Sequence, residues 1–404
     1  MAIDNKNKVL NVPHLRFPEF SGEWEKNNLS KFSSKITKKN KSNFINNVLC
    51  NSANLGIIPQ NDYFDRDIAN ADNTDSYYII EQGDFVYNPR KSTAAPYGPV
   101  NIYNGEKPGI ISPLYLCFSV FNISPSFLFY RFKSSVWHPY VYSHGDTGVR
   151  YDRVSIKDDV FFDMPIYTPT QNEQEKIATL LSLIDERIAT QNKIIEDLKK
   201  LKSAIVEMLL CNQNGESFKL RDVGCFVRGL TYANEDVTEN KAATTVIRAN
   251  NLNYGNNVDK DEVVYVNKTP TASQILRKGD IVICMANGSS SLIGKNSYYP
   301  FNDGQSTIGA FCGIYRTSYP FVKWLMQSQR YKRLVYQSLQ GGNGAIANLN
   351  GDDILNMSFP LIEKEKSQSI IFAIDAIEKS LMVNKSLQRL YYTQKSYLLK
   401  QIFI

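Results

Sequence analysis

Hydrophobic and polar positions follow two rhythms along this chain, and each rhythm occurs twice. The first is helical. Between Glu173 and Leu210, apolar residues stand at 177, 181, 184, 188, 195, 198, 205 and 209, with gaps of four and three once the polar positions Gln191 and Lys202 are counted. That spacing returns to one helix face and predicts the seam of a left-handed coiled coil. A similar run from Glu363 to Phe403 closes the chain. At about 1.5 Å per residue each run predicts a helix of roughly 60 Å, longer than one globular core needs. The predicted helix–helix seam comprises Ile177, Leu181, Ile184, Ile188, Ile195 and Ile205 on the first, and Ile374, Ile377, Leu381 and Leu398 on the second. Gln191 and Lys202 are polar seam positions of the kind that fix register.

The second rhythm is that of short strands. β-prone runs occur at Tyr77–Ile80, Phe85–Tyr87, Leu114–Phe121, Val246–Ile247, Val263–Val266, Ile281–Cys284 and Gly309–Tyr315, mostly bounded by polar or Gly/Pro/Asn turns. Local helices are predicted at Pro125–Ser134 and Phe321–Leu339. Each stretch before a long helix therefore reads as mixed α and β.

The halves also correspond in sequence. A gap-free shift of 193 places the apolar positions of one helical run on those of the other and sets Lys202 on Lys395; a shift of 190 instead matches Glu173 with Glu363 and Ile184-Asp185 with Ile374-Asp375. Either keeps the apolar faces similar, because three residues are close to one turn. In the globular parts Leu29 matches Leu220, Gly83-Asp84-Phe85-Val86 matches Gly279-Asp280-Ile281-Val282, and Gly145 to Gly148 matches Gly341 to Gly344. The expected fold class is α+β: two mixed α/β domains with pseudo-two-fold symmetry, joined by two long antiparallel helices forming a coiled coil. Antiparallel pairing brings the second helix back to where the first began. The expected boundaries are 1–170, 171–213, 214–361 and 362–404.

Composition narrows the class. A chain of 404 residues exceeds one ordinary core, and 43% hydrophobic residues support packed structure. Lys+Arg (46) exceed Asp+Glu (40), which suits a polyanionic partner without demanding one. Six dispersed cysteines with no CxxC pair, and three histidines, lack the spacing of a metal site and fit free thiols in a reducing cytoplasm. Met1–Phe17 has no signal-peptide core, and no apolar run reaches 18 residues, so no membrane partner is expected.

Familiar catalytic motifs fail on inspection. Gly288 to Asn296 resembles a phosphate-binding loop but has one residue too many between its glycines, and Asn where Ser or Thr would bind magnesium. Tyr87-Asn88-Pro89-Arg90 lacks the second proline and the aromatic of an amino-methyltransferase motif. His14, His138 and His144 have no nucleophile partner, and Asp158-Asp159 and Asp352-Asp353 suit turns or caps better than a metal.

What remains suits nucleic acid. Lys35, Lys38 and Lys39 form a basic run; Arg90, Lys91 and Ser92 follow one Gly-Asp strand; Asn287, Ser289 and Ser290 follow the matching one. Arg248, Asn250 and Asn251 close another strand, and Arg150 and Asn343 stand by the repeated glycine segments. Arg and Lys match guanine edges, Asn matches adenine, and hydroxyls and lysines meet phosphates.

The arrangement resembles the DNA-specificity (S) subunit of type I restriction–modification systems. The resemblance rests on Glu173-Gln174-Glu175-Lys176-Ile177-Ala178 leading into Leu183-Ile184-Asp185, on the two Gly-Asp strands, on Leu55 to Gln60 and on Gly342 to Ile346, and it spans nearly the whole chain. Glu363-Lys364-Glu365-Lys366 departs from the usual Glu-Gln start of the second helical region. The resemblance implies a non-catalytic subunit, two target-recognition domains each reading half of a bipartite site in double-stranded DNA, and helices that set the spacer. It implies two methyltransferase subunits and two ATP-dependent restriction/translocase subunits as partners, with S-adenosylmethionine, ATP and Mg on them and no cofactor on this chain. A two-domain DNA-binding scaffold or regulator outside restriction–modification, and an enzyme with an unrecognised site, are the competing readings.

Overall fold

The computed structural model describes residues 11–41, 44–63, 74–145, 152–211, 215–340, 348–361 and 364–404. The chain divides into two compact units, Met1–Asn192 with Ser386–Ile404, and Lys193–Lys385.

The first unit contains β1 (Glu25–Asn28), β2 (Ser33–Lys35), β3 (Val48–Ser52), β4 (Gly56–Pro59), β5 (Tyr78–Ile80), β6 (Phe85–Tyr87), β7 (Val100–Ile102), β8 (Gly109–Ile111) and β9 (Leu116–Val120). Then come α1 (Pro125–Lys133), α2 (His138–His144), α3 (Asp158–Phe162), β10 (Pro165–Thr168) and the long α4 (Gln171–Cys211), whose later half belongs to the second unit. The second unit contains β11 (Ser217–Lys219), α5 (Leu220–Val223), β12 (Gly224–Arg228), β13 (Val237–Thr238), β14 (Thr244–Ile247), β15 (Val264–Val266), β16 (Ile281–Cys284), β17 (Asn296–Tyr298), β18 (Ser306–Ile308) and β19 (Cys312–Thr317). It continues with α6 (Val322–Leu325), α7 (Gln329–Gln340), α8 (Gly351–Leu355), β20 (Ser358–Pro360) and α9 (Lys364–Ile402), which ends in the first unit. All seven β-prone runs contain strands, and the fold class is the expected mixed α and β with two long helices.

The units repeat one topology. An antiparallel sheet ordered β2-β9-β6-β7 recurs as β12-β19-β16-β17, and the pair β1-β10 recurs as β11-β20. A further sheet shares the trio β4-β3-β8 with β15-β14-β18, in which β3–β8 and β14–β18 are parallel. Its fourth strand differs: β5 joins beside β8, whereas β13 joins beside β15. Both Gly-Asp pairs make the same turn. Gly83 and Gly279 take φ of +92° and +103°, a region that favours glycine, and the next carboxylate accepts from the Glu81 or Arg277 backbone N–H at 2.7 or 2.8 Å.

The long helices do two jobs. In the first unit Ile177, Leu181, Ile184 and Ile188 pack in one core with Trp24, Phe118, Phe127 and Phe161, with Leu398 and Ile402 of α9, and with Phe403 just after it. Seam residues therefore face the globular part as well as the other helix, each contributing about 1.5–3 kcal/mol through burial. In the second unit Val206 and Ile374 join Trp324, Leu325, Tyr331 and Phe359. Ile195 and Leu381 are buried, while Ile205 and Ile377 are half-buried.

Polar contacts fix direction and register. In the first unit Asp185 meets Lys395, and Asn192 meets Gln388. Seven residues forward on α4 are seven back on α9, so the pairing is antiparallel. In the second unit Lys202 meets Glu378. Lys202 and Lys395 are 193 positions apart, as are Asp185 and Glu378. The correspondence is therefore at 193, not 190, which would set Lys202 on Tyr392. Each ammonium also faces an aromatic of its unit: Lys395 lies 5.7 Å from the Tyr130 ring, Lys202 4.6 Å from Trp324.

Three local details refine the expectations. The single helix predicted at Phe321–Leu339 is two, because the Ser328 hydroxyl donates to the Leu325 carbonyl and accepts from the Tyr331 N–H, ending one helix and capping the next. Asp353 exchanges side-chain bonds with Asn350 to cap α8, and Asp158 pairs with Lys35. The start of α4 is locked by Glu173, which takes Arg16 through two 2.8 Å bonds and accepts from the Trp24 indole. Among the described residues, no helix is long and apolar enough to cross a membrane.

Candidate nucleic-acid interface

Each unit has a polar cleft at the same place in the repeated topology. Three segments build it. The first continues one strand of the parallel pair, still as strand through Ser52 in the first unit and as a loop from Arg248 in the second. Leu49 faces Ile111 in one unit and Ile247 faces Ile308 in the other, so Cys50–Ala53 corresponds to Arg248–Asn251.

The second segment follows the Gly-Asp strand. Phe85 faces Phe118 and Ile102, and Ile281 faces Tyr315 and Tyr298, which aligns the loops after β6 and β16. Each loop is held by a returning segment: Val154 N–H donates to the Pro89 carbonyl, and Leu349 N–H donates to that of Met285, both at 2.9 Å. Arg90 bridges Arg153, and Ala286 bridges Asn348 in the same way. The third segment is a four-residue turn, Ser112–Tyr115 or Gly309–Cys312, closed by a bond from the fourth N–H to the first carbonyl at 3.1 or 2.9 Å.

The linings differ. The first cleft, of about 390 Å³, is lined by Asn51, Ser52, Asn88, Arg90, Lys91, Ser92, Leu114, Tyr115 and Arg153 among others. Arg90 is exposed, and its 3.9 Å contact with the exposed Asp152 is too solvated to hold it. The Arg153 Nε is buried without a hydrogen-bond acceptor among the described residues. The second cleft, of about 1130 Å³, is lined by Tyr232, Asn234, Arg248, Asn250, Asn287, Ser290, Phe311 and Asn348 among others. It replaces most of the cations with amides.

The structure thus brings together Arg90, Lys91 and Ser92 in one cleft, and Arg248, Asn250, Asn287 and Ser290 in the other. It places other candidates elsewhere. Asn251 is 2% exposed; its side-chain oxygen accepts from the Arg248 N–H and its amide donates to the Glu262 carbonyl, so it builds the loop and presents nothing to a ligand. Lys35 is engaged by Asp158, and Lys35, Lys38 and Lys39 line neither cleft. Ser289 bonds Ser291 and lies outside the lining. Arg150 and Asn343 fall outside the described residues. Arg153, Asn348 and Asn234 went unnoticed in the sequence, and the signal for the first two is long-range strand bridging that no local pattern carries.

No family model matches the chain. The whole-chain fold is that of type I restriction–modification S subunits. It superposes on the S subunit from M. genitalium with TM-score 0.56 at 16% identity, covering 97% of this chain and 99% of that one. It superposes on a chain from a study of complex assembly and conformational transition of the type I restriction–modification system with TM-score 0.58 at 12% identity, covering 94% and 97%. In sequence, a 153-residue segment is 29% identical to the specificity subunit of the type I restriction enzyme EcoKI of Escherichia coli K12, and equally to that of StySPI of Salmonella potsdam. That match spans 36% of this chain and about a third (32%) of each relative.

Proposed function

We propose that the chain is the sequence-specific DNA-binding subunit of a type I restriction–modification complex, non-catalytic itself, in which each cleft reads one half of a bipartite site. The observation that carries this reading is the pair of clefts: one repeated frame, two different polar linings. A frame present twice suits duplex DNA read in two places, and unlike linings suit two unlike half-sites. Arg90, Lys91 and Arg153 offer donors to guanine edges and phosphates; Asn250, Asn287 and Asn348 offer the paired donor and acceptor that adenine takes. The fixed register of α4 and α9 would hold the distance between half-sites.

The helices also support docking of two copies of one partner. Exposed Leu183, Ile194, Leu201 and Met208 on α4 are spaced 11, 7 and 7, and exposed Phe372, Val383, Leu390 and Tyr397 on α9 repeat that spacing at a shift of 189, about one helical turn from the 193 that relates the seams. Both sets lie along one helix face, which a monomer would not leave bare twice. The methyltransferase subunits are the occupants proposed for it, with S-adenosylmethionine on them and ATP and Mg on the restriction/translocase subunits.

The test is methylation sequencing of cells expressing the full chain with its methyltransferase partner. The expected result is adenine methylation at an interrupted motif. Exchanging residues 24–165 for a related domain should change one half-site and leave the other. A continuous motif, or a change in both halves, would refute the reading.

A further inference from the structure

The turns that rim the two clefts carry an unusual residue at the same place. Turn positions are normally filled by Gly, Pro, Asn, Asp or Ser, which supply backbone freedom or local hydrogen bonds. The third residue of Ser112–Tyr115 is Leu114, 63% exposed, and the third of Gly309–Cys312 is Phe311, 70% exposed. The alignment of these two positions is fixed by strand register on both sides: β8 and β18 lead in, β9 and β19 lead out, and both turns close with the same hydrogen bond.

A single exposed apolar side chain needs no explanation. Here the same position is large and apolar in both units, although the polar residues around it differ. Both side chains line their clefts. The Phe311 carbonyl accepts from the Met285 and Ala286 N–H groups at 2.8 and 3.3 Å, which fixes the base of the turn while its side chain stays in solvent. In the second unit the backbone of this position is therefore tied down and its side chain presented outward.

Resting on the DNA-reading function proposed above, we infer that Leu114 and Phe311 are apolar wedges, one per cleft, that press between stacked base pairs of the half-site each cleft reads. Leu and Phe are residue types that unstack a base step when a protein inserts them into a duplex. Flanking amides and guanidiniums would then read the opened step, so the wedge adds selectivity for easily unstacked pyrimidine–purine steps without hydrogen bonding to any base.

The experiment uses the full chain. Its motif is first selected from random duplexes, and 2-aminopurine is then placed at successive positions across each half-site. The wild-type chain should raise 2-aminopurine fluorescence at one step per half-site. Phe311→Ala should abolish that rise in one half-site only and weaken binding roughly tenfold, with thermal unfolding unchanged. Leu114→Ala should do the same in the other half-site, and Phe311→Leu should restore most of the signal. If Phe311→Ala keeps full fluorescence and affinity while Arg248→Ala loses binding, the wedge is refuted and the DNA-reading function stands. If the wild-type chain selects no duplex, either alone or with its methyltransferase partner, both fall.

Discussion

The two long helices carry different residues at the matching place in their first turn. In the first, Glu173 is 1% exposed and joins Arg16 and Trp24 to the helix start. At the corresponding position, 193 further on, the second unit has Lys366. The clefts differ in a parallel way: one is cationic, the other largely amide. The strands, turns and seam contacts that carry these features hardly differ. Residues that close a backbone ladder are constrained by every neighbour, whereas a side chain at a loop end or helix start is constrained by few.

The largest expected effect breaks this comparison at the helix start. Glu173→Ala strands the Arg16 guanidinium in a mostly buried place and should destabilise the first unit by about 3–5 kcal/mol. Hydrogen exchange resolved by segment should show the loss within Met1–Asn192 and leave amides of 217–360 protected. Equal loss in both would mean that the units do not differ in this way.

A middling effect sharpens the contrast between clefts. Arg90→Ala and Arg153→Ala should each weaken DNA binding by about 1–3 kcal/mol and flatten its dependence on salt. Asn250→Ala and Asn287→Ala should cost a similar amount at the other half-site with an unchanged salt slope. Binding measured across a salt series separates the two. Identical slopes for all four variants would remove the distinction between a cation-lined and an amide-lined cleft.

A further test, read through pH alone, concerns Lys133, whose ammonium donates to the Asn101 side-chain oxygen beside Lys395. Burial, with Lys395 adding to it, holds its pKa down to about 8 from the ordinary 10.5. Below pH 8 the folded state bears the full cost of a buried charge. From about pH 8 to 10.5 the folded state releases the proton before the unfolded chain does, so stability should rise with pH. Lys133→Met should remove that rise and stabilise the protein below pH 8, as read by denaturant unfolding at several pH values. An unchanged profile would show that the charge is not the cause.

Much of the fold was legible in the sequence for a physical reason. The four–three spacing from 177 to 209 and the apolar runs at 85–87 and 281–284 record which face meets a core, and that is a local periodic property. The Gly-Asp pairs were legible because a positive φ and a carboxylate cap each need a particular residue. The expected helix at 321–339 divides in two because Ser328, which nothing in the local sequence sets apart from an ordinary helix serine, is buried with its hydroxyl on the Leu325 carbonyl.

The candidate site was legible only in part. Arg90 and Arg248 stood out because each follows a strand, but nothing marked Arg153 or Asn348 as their neighbours. Asn251 looked like Asn250 in sequence, yet one builds the loop and the other lines the cleft. Leu114 and Phe311 fell at the edges of β-prone runs, where an apolar residue is expected to be buried.

By itself, then, the sequence determined the doubled frame, the long helices and the strand pattern, because period and turn chemistry are written in neighbouring residues. The tertiary structure alone decided the register at 193 and the membership of each cleft. Both depend on pairings between segments far apart in the chain, and a one-residue slip in such a ladder would turn every side chain to the opposite face.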